Sequence, residues 1–433
     1  MTQNHPHASD ADAPHPASLS ASAPSDDFAP SPDSSFEPSA FEPTPFEPSF
    51  EPTPFEPENG SDNDALDPDQ ALPDRAIKGR GAVSNATGRF EPETRILTDD
   101  GWDIAQRLAE DEEMPPLRTT VQSDTSRSVI ARNDSPDIPF TQSINPYRGC
   151  EHGCIYCFAR PTHAYLGYSP GLDFETRLVA KFDGPRLLEE ELRKPGYKCQ
   201  VIAMGTNTDP YQPIERKHEI TRGILKVLQA YNHPIGFVTK SALILRDLDI
   251  LVPMAKKGLA HVFVSLTTLD PELARNMEPR ASSPRLRLQA IRELNAAGVP
   301  CGVMTAPMIP GLNDAEMEKL LEAAWDAGAR RAGYVLLRLP HEIKDLFAEW
   351  LWAHYPMKAE HVLSLIKGTR GGKLNDPNFG SRMRGEGRYA ELIKQRFDLA
   401  AKRLGFNAEP RGAGLRTDLF ERPARVGDQL KLL

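Results

Sequence analysis

Three cysteines stand close together in the sequence, at Cys150, Cys154 and Cys157. Thiolates are soft ligands, so three of them within one short stretch indicate a metal site. A structural zinc usually takes four protein ligands from two separated pairs, and the sequence contains no second pair of this kind. Three thiolates on one loop instead favour a [4Fe-4S] cluster with one iron left open. A structural zinc and inert buried thiols are the alternatives.

Tyr156 stands immediately before the last of these cysteines, which gives the pattern Cys-x3-Cys-x-aromatic-Cys. This pattern resembles the signature of the radical S-adenosylmethionine (SAM) superfamily. The resemblance implies that Cys150, Cys154 and Cys157 hold the cluster and that Tyr156 lies beside the adenine of SAM. It further implies that SAM binds the open iron, and that one electron then cleaves it to a 5′-deoxyadenosyl radical, which abstracts hydrogen from a substrate. Such chemistry needs an electron donor such as flavodoxin or ferredoxin.

From residue 138 onward, short apolar runs alternate with amphipathic helical patterns. Near-continuous apolar strands alternating with helices favour a parallel sheet that is covered on its faces. Six strand–helix units predict an α/β fold, a partial (β/α)6 barrel of the TIM type, which is also the core that the resemblance implies. The predicted strands lie at 138–147, 200–205, 234–240, 260–265, 299–304 and 331–337, and the predicted helices at 184–193, 217–231, 246–257, 284–297 and 313–327.

Polar residues follow several of the predicted strands, and in parallel barrels the chemistry collects at the carboxyl ends of the strands. After the second strand, oxygens of Asn or Asp suit the ammonium group of SAM, although an ordinary turn rich in Asn, Asp and Pro is the other interpretation. Lysine suits a carboxylate, whereas serine or glutamate suits a ribose hydroxyl or an amine. The candidates are Thr206, Asn207, Asp209, Lys240, Ser265 and Glu278.

Residues 140–340 resemble the spore photoproduct lyase-like branch of this superfamily. The similarity includes the run from Phe237 to Lys240, the strand that ends at Ser265, and Glu278 with the following proline. It implies that Lys240 and Ser265 contact SAM and suggests a nucleic-acid substrate. Photoproduct lyase has an additional cysteine just past its second strand, whereas residues 206–213 contain none. The substrate, the product and the fate of SAM therefore stay open.

The remaining two cysteines, Cys199 and Cys301, are predicted at the beginnings of strands, which is the opposite end of the barrel from the chemistry. We interpret both as ordinary buried thiols. Five cysteines that are mostly clustered do not make a disulfide framework, so a reducing compartment is expected. The sequence has no apolar run of about eighteen residues and no apolar signal core at its N-terminus. These features predict a cytoplasmic protein without a membrane partner, and they leave its oligomeric state open.

The chain divides by composition into a tail at 1–75, an extension at 76–137, the core at 138–340 and a helical region at 341–433. The tail holds 15 prolines and few β-branched residues, which predicts disorder. Its Phe-Glu-Pro repeats, between Phe36 and Pro57, are either a solvated linker or docking motifs for a partner. A non-enzymatic protein, with a structural metal on the Cys loop and these repeats bound to a partner, is the alternative to an enzyme.

The net charge of −10 comes from the N-terminal end of the chain. The first 80 residues hold 16 acidic and three basic residues, so the remainder carries +3 and is compatible with an anionic substrate. In the extension, Lys78, Arg80 and Arg89 are interpreted as phosphate contacts or solvated charges. A basic, glycine-rich loop at 367–385 is interpreted either as a nucleic-acid contact or as a mobile solvated loop.

Overall fold

The computed structural model describes residues 76–91, 117–408 and 414–424. The predicted disordered tail and its Phe-Glu-Pro repeats lie outside these residues. Within the described ranges, no helix is both long and apolar enough to cross a bilayer.

Strands and helices alternate through the centre of the chain, as predicted. The strands are β1 (Thr120–Ser123), β2 (Ile130–Arg132), β3 (Gln142–Ile144), β4 (Tyr147–Arg148), β5 (Arg177–Ala180), β6 (Ile202–Met204), β7 (Ile235–Thr239), β8 (Ala260–Ser265), β9 (Cys301–Met308) and β10 (Arg331–Leu336). The main sheet has the order β10-β9-β8-β7-β6-β3-β2, and all its neighbours are parallel except β2 and β3. Its six parallel strands follow one another in chain order, which confirms the predicted (β/α)6 arrangement.

The helices occupy the connections between these strands. They span Asp173–Thr176, Gly184–Arg193, Glu215–His218, Ile220–Ala230, Leu248–Lys256, Pro271–Met277, Pro284–Ala296, Met317–Asp326, Ile343–His354, Pro356–Gly368, Ser381–Arg384 and Gly387–Leu404, with 3₁₀ turns at Arg160–Leu166, Ala242–Asp247 and Asp314–Glu316. Four of the five predicted helices are confirmed with differences of a few residues at their ends, whereas the helix predicted at 217–231 is interrupted at Glu219, which has a φ of +50°. Most begin where proline or an acidic residue favours the first turn, and Asp270 accepts from the backbone NH of Glu272 at 2.8 Å.

One face of β8 is completely buried, and aromatic rings project from its other face. Val262 and Val264 of β8 are fully buried, whereas His261 and Phe263, which alternate with them, are half-buried. Each ring packs against the glycine of a neighbouring strand. A Cβ atom on Gly236 would lie 2.8 Å from His261, and one on Gly302 would lie 2.4 Å from Phe263. These glycines therefore make room for the rings inside the curved sheet.

Two strands in the extension escaped the sequence analysis because they are only three and four residues long. β2 pairs with β3 and so extends the main sheet, while β1 joins β5 and β4 in a separate three-stranded sheet. Cys301 is buried at the start of β9, as predicted. Cys199, which precedes β6, is half-buried rather than buried.

Candidate cluster and cofactor site

The Cys loop, residues 150–157, follows β4 and is held by tight turns and by two distant segments. Within the loop, the Gly153 NH donates to Cys150 O at 3.2 Å and the Cys157 NH donates to Cys154 O at 3.2 Å. The Cys150 NH donates to Phe174 O at 2.9 Å, and the Ile155 NH donates to Met277 O at 3.1 Å. The loop backbone is therefore fixed from both sides.

The three thiols of the Cys loop are free and lie near one another. Cys150 and Cys154 are buried, and Cys157 is half-buried. Burial, followed by the charges of Asp209 and Cys154, raises the pKa of the Cys150 thiol. Burial also raises the pKa of Cys154, where the charges of Glu278 and Cys157 add to the rise and Lys240 opposes it. Apposed buried thiols are stable as thiolates only with a compensating cation.

The donor set suits an iron–sulfur cluster. Three thiols on one loop can each bind a separate iron, as Cys ligands do in a [4Fe-4S] cluster. Across residues 76–91, 117–408 and 414–424, no group of three or more His, Cys, Asp or Glu side chains has the geometry of a site for a single metal ion.

A buried ion pair supports the backbone of the Cys loop. Arg160 and Glu175 both have side chains with 0% exposure, and Arg160 Nη2 lies 2.5 Å from Glu175 Oε1. Arg160 also donates to Cys154 O at 2.9 Å and to Gly153 O at 3.0 Å. A charge-assisted network of this kind fixes the carbonyls of the second cysteine and of the residue before it. Neither residue was singled out from the sequence, because no spacing pattern links them.

Gln212 supports the other end of the loop. It is fully buried, accepts from the Glu151 NH at 2.9 Å and donates to Gly149 O at 3.3 Å. It belongs to the polar stretch after β6 that the sequence singled out, although it was not selected as a site residue there. Its contacts show that this stretch helps to position the Cys loop.

Four of the residues selected from the sequence meet beside the Cys loop. The Tyr156 hydroxyl donates to the Glu278 carboxylate, and Lys240 Nζ lies 5.7 Å from the centroid of the Tyr156 ring. Arg287 binds the other Glu278 oxygen and donates to Ser265 O at 3.2 Å. Burial raises the pKa of Glu278, and the charge of Arg287 limits that rise. The arrangement gathers an aromatic face, an ammonium and a neutralised carboxylate next to Cys154 and Cys157.

Asp209 holds the ends of two neighbouring strands together. Its carboxylate accepts from the Lys240 NH at 2.7 Å and from Thr239 Oγ1 at 2.8 Å, and it lies 3.4 Å from His152 Nδ1. Although burial alone would raise the pKa of Asp209, His152 and the backbone NH groups lower it to about 2. The carboxylate is thus ionised and already hydrogen-bonded within the protein.

Thr206 and Asn207 lie on the turn after β6 and contact Asn145, which follows β3. Asn145 Oδ1 accepts from the Asn207 NH at 3.1 Å, and Asn145 Nδ2 donates to Thr206 Oγ1 at 3.3 Å. Asn207 is exposed, and Thr206 is half-buried. The turn therefore lies at the carboxyl edge of the sheet, where it was predicted. The roles of these residues toward SAM stay predictions.

A groove with a volume of about 410 Å³ lies beside the Cys loop, and we call it the arginine groove. His152 of the loop forms part of its wall, together with residues from the segments that follow β6, β7 and Glu278. Arg216 and Arg280 line it and are both exposed, and none of its lining residues is acidic, although Arg280 Nη2 also lies 3.2 Å from Glu151 Oε1 of the Cys loop. The side-chain hydroxyls of Ser241, Ser282 and Ser283 add polar groups to its wall. This composition suits an anion.

The predicted basic loop at 367–385 is not a free cationic surface. Arg370 is buried and donates to Leu337 O at 2.7 Å and to Ser381 O at 3.0 Å. Arg382 forms an ion pair with Asp137. These two arginines hold protein segments together and so do not belong to a mobile solvated loop, whereas the contact of the loop with nucleic acid stays a prediction. Lys373 and Arg384 are exposed.

Arg80 in the extension also differs from its prediction as a phosphate contact or a solvated charge. It is buried, and its guanidinium donates to Glu175 O at 3.1 Å and to Leu117 O at 2.5 Å. Arg89 forms an ion pair with Glu342 at 2.5 Å. Arg80 thus has a structural role beneath the Cys loop.

Comparisons with known proteins relate the segment that contains this site to a known family. Residues 144–324 match the family model of the Radical SAM superfamily. An uncharacterized protein of Mycobacterium tuberculosis is 40% identical over 221 residues, which are 51% of this chain and 65% of that protein. An uncharacterized protein of Methanocaldococcus jannaschii is 30% identical over 40% of this chain and 62% of that protein. The chain thus spans less than two thirds of the curated relatives that it matches.

Among solved structures, spore photoproduct lyase complexed with dinucleoside spore photoproduct aligns at 17% identity with a TM-score of 0.47. The alignment covers 66% of this chain and 80% of that chain. The family match includes the Cys loop and every site residue selected from the sequence. Residues 144–324 of this α/β chain, which contain the whole candidate site, are thus similar to the Radical SAM superfamily.

Proposed function

We propose that this protein is a radical SAM enzyme in which Cys150, Cys154 and Cys157 hold a [4Fe-4S] cluster. The observation that carries the proposal is the gathering of three free, neighbouring thiols with Tyr156 and Lys240 on one side of the Cys loop. When bound, the cluster supplies the electron that cleaves SAM reductively and so starts hydrogen abstraction. A soluble one-electron donor, such as flavodoxin or ferredoxin, would reduce it. The five free thiols support a reducing compartment, the cytoplasm.

The residues around the loop suit the groups of SAM. In this proposal the Lys240 ammonium binds the carboxylate, and the ring of Tyr156, whose centroid lies 5.7 Å from that ammonium, offers an apolar face to the adenine. Ser265 and the turn at 206–209 supply oxygens for the ribose and the ammonium group. Because Arg287 compensates the charge of Glu278, that carboxylate can remain buried beside the cofactor.

We further propose a nucleic-acid substrate that contacts the arginine groove through its phosphates. The groove adjoins the Cys loop through His152, so a strand bound there lies next to the site of SAM cleavage. Arg216 and Arg280 give it positive charge, and serine hydroxyls add hydrogen-bond donors. Because residues 206–213 contain no cysteine, we expect no efficient repair of thymine photoproducts.

Isotope transfer tests the hydrogen abstraction. The reduced, reconstituted protein is incubated with SAM and deuterated oligonucleotides, and the 5′-deoxyadenosine is analysed by mass spectrometry. Deuterium in the 5′-deoxyadenosine is the expected result. If the 5′-deoxyadenosine is unlabelled with every deuterated oligonucleotide, the protein cleaves SAM but nucleic acid is not its substrate. A repair assay on irradiated DNA accompanies it, and multiple-turnover repair would contradict the expectation drawn from the missing cysteine.

Salt titration tests the groove. Replacing Arg216 and Arg280 by Gln should reduce the slope of log K against log salt by about 0.7 to 0.9 for each lost phosphate contact. The matched control replaces Lys373 and Arg384, which are exposed cations away from the groove, and should leave the slope unchanged. Equal slopes for wild type and the groove variant, with a lower slope for the control, would place the nucleic acid on the basic loop instead.

A further inference from the structure

The segment Gly79–Ser84, which we call the N-terminal strap, lies against the Cys loop although it falls outside the matched family domain. The Gly81 NH donates to Glu175 Oε2 at 3.0 Å, and the Ala82 NH donates to Glu175 Oε1 at 2.9 Å. Ala82 and Val83 pack in the same buried cluster as Cys154 and Tyr156. One carboxylate thus joins the strap to Arg160, which holds the loop carbonyls.

The contact between strap and loop is close enough to require glycine. A Cβ atom on Gly81 would lie 1.8 Å from Gly153 O. Gly153 itself has a φ of +67°, and a Cβ atom there would lie 2.7 Å from Glu175 Oε2. The two backbones therefore approach each other around the Glu175 carboxylate, between the first and second cysteine of the loop.

Arg80 and Thr119 extend this contact to the residue after the first cysteine. The Arg80 guanidinium lies 3.3 Å from Thr119 Oγ1, and that hydroxyl donates to Glu151 Oε1 at 2.6 Å. Arg80 also binds the backbone oxygen of Glu175 at 3.1 Å. The strap is consequently linked to the loop on both sides of Gly153.

We infer that Arg160 and Glu175, together with the N-terminal strap, are positioning elements of the cluster site. The inference rests on the proposed function, since it assigns the geometry of the Cys ligands to residues that precede and follow the loop. Arg160 fixes the backbone of Gly153 and Cys154, Glu175 holds Arg160, and the strap donates two backbone NH groups to the Glu175 carboxylate. The cluster site of this protein therefore extends beyond the family domain to residue 79.

Charge gives a test that a merely structural role would not satisfy. Reduction adds a negative charge to a cluster, so an uncompensated cation nearby raises its reduction potential and an uncompensated anion lowers it. Glu175→Gln leaves Arg160 uncompensated and should raise the potential. Arg160→Gln leaves Glu175 uncompensated and should lower it. Both are measured by redox titration of the cluster absorption in the full-length, reconstituted protein.

Milder variants test the strap itself. Gly81→Ala should increase iron loss to a chelator about 10- to 100-fold, the usual effect of removing support from metal ligands. Thr119 is half-exposed, and Thr119→Val removes its hydrogen bond to Glu151. This variant should also increase iron loss to the chelator. The control is Gly196→Ala, where an added Cβ meets nothing within 4 Å.

The outcomes separate this inference from the proposed function. If wild type does not assemble a cluster, the proposed function fails. If wild type does so, and the charge variants keep its potential while Gly81→Ala and Thr119→Val retain iron like Gly196→Ala, the positioning role is wrong. Should the buried charge variants fail to fold, the iron loss of Gly81→Ala and Thr119→Val decides the question.

Discussion

Arg287 binds the carboxylate of Glu278 with one terminal nitrogen and donates to Ser265 O with the other, at 3.2 Å. The two charged side chains are 1% and 0% exposed. Glu278 also accepts from the hydroxyl of Tyr156 in the Cys loop. Because Arg287 belongs to the helix Pro284–Ala296, this single pair connects that helix with the end of β8 and with the candidate cluster site.

Removing one member of this ion pair should lower the stability of the protein. Glu278→Ala leaves the Arg287 guanidinium buried without its counterion, which typically lowers the free energy of unfolding by about 3–5 kcal/mol. The control is Arg285→Ala, an exposed arginine on the same helix, for which we expect a change within about 0.5 kcal/mol. Urea denaturation of both variants measures the effect, and equal midpoints would show that the pair contributes nothing net.

The turn that carries Thr206 and Asn207 depends on Gly205. This glycine has a φ of +88°, and a Cβ atom on it would lie 1.9 Å from Val238 O. In Gly205→Ala, the left-handed backbone alone should cost about 1–2 kcal/mol, and the clash would displace the turn from β7. We expect lower stability and weaker SAM binding by calorimetry. SAM affinity equal to wild type would exclude the turn from the cofactor site.

The buried His233 and the half-buried His261 should make the stability of the protein sensitive to mild acid. Burial lowers the pKa of His233 and of His261 to about 4, from an ordinary value of 6.5. Between those values the unfolded chain binds more protons, so stability should be lost as the pH falls from about 6.5 toward 4. His233→Gln should flatten the dependence of the denaturation midpoint on pH over this window. An unchanged slope would show that His233 does not titrate on unfolding.

The composition of the N-terminal tail gives a further prediction. Removal of residues 1–70 should leave the thermal midpoint and SAM cleavage nearly unchanged, because a chain so rich in Pro, Ser and acidic residues lacks the apolar groups for a core. Differential scanning calorimetry and a cleavage assay measure both quantities. A large loss of either would mean that the tail contributes to the folded enzyme.

The elements of the core were predictable because their signals are local. In apolar runs such as 260–265 and helical patterns such as 284–297, the spacing of the apolar residues itself indicates which side chains are buried. The Cys loop was equally visible, since three cysteines lie within eight residues. β1 and β2 were not predicted, because strands of four and three residues are too short to show an alternation of apolar and polar residues.

The supports of the site could not be found in this way, because their partners are distant in sequence. Gly81 and Glu175 are 94 positions apart, and Arg160 and Arg80 resemble ordinary surface arginines until their surroundings are known. Arg370 shows a different error. It lies in a basic, glycine-rich stretch that suggests a ligand contact, but its side chain is buried and binds backbone carbonyls. Charge in a sequence does not reveal whether its counterpart is solvent, a ligand or the protein itself.

Iron and sulfide analysis of the anaerobically reconstituted protein, combined with a 5′-deoxyadenosine assay, tests the central claim most directly. Wild type and Cys199→Ala, whose thiol lies away from the loop, should hold about four irons per chain and cleave SAM. Replacement of Cys150, Cys154 and Cys157 together by Ala should abolish both. A triple variant that still holds four irons, or a wild type that takes up only zinc, would contradict the assignment of a radical SAM cluster to the Cys loop.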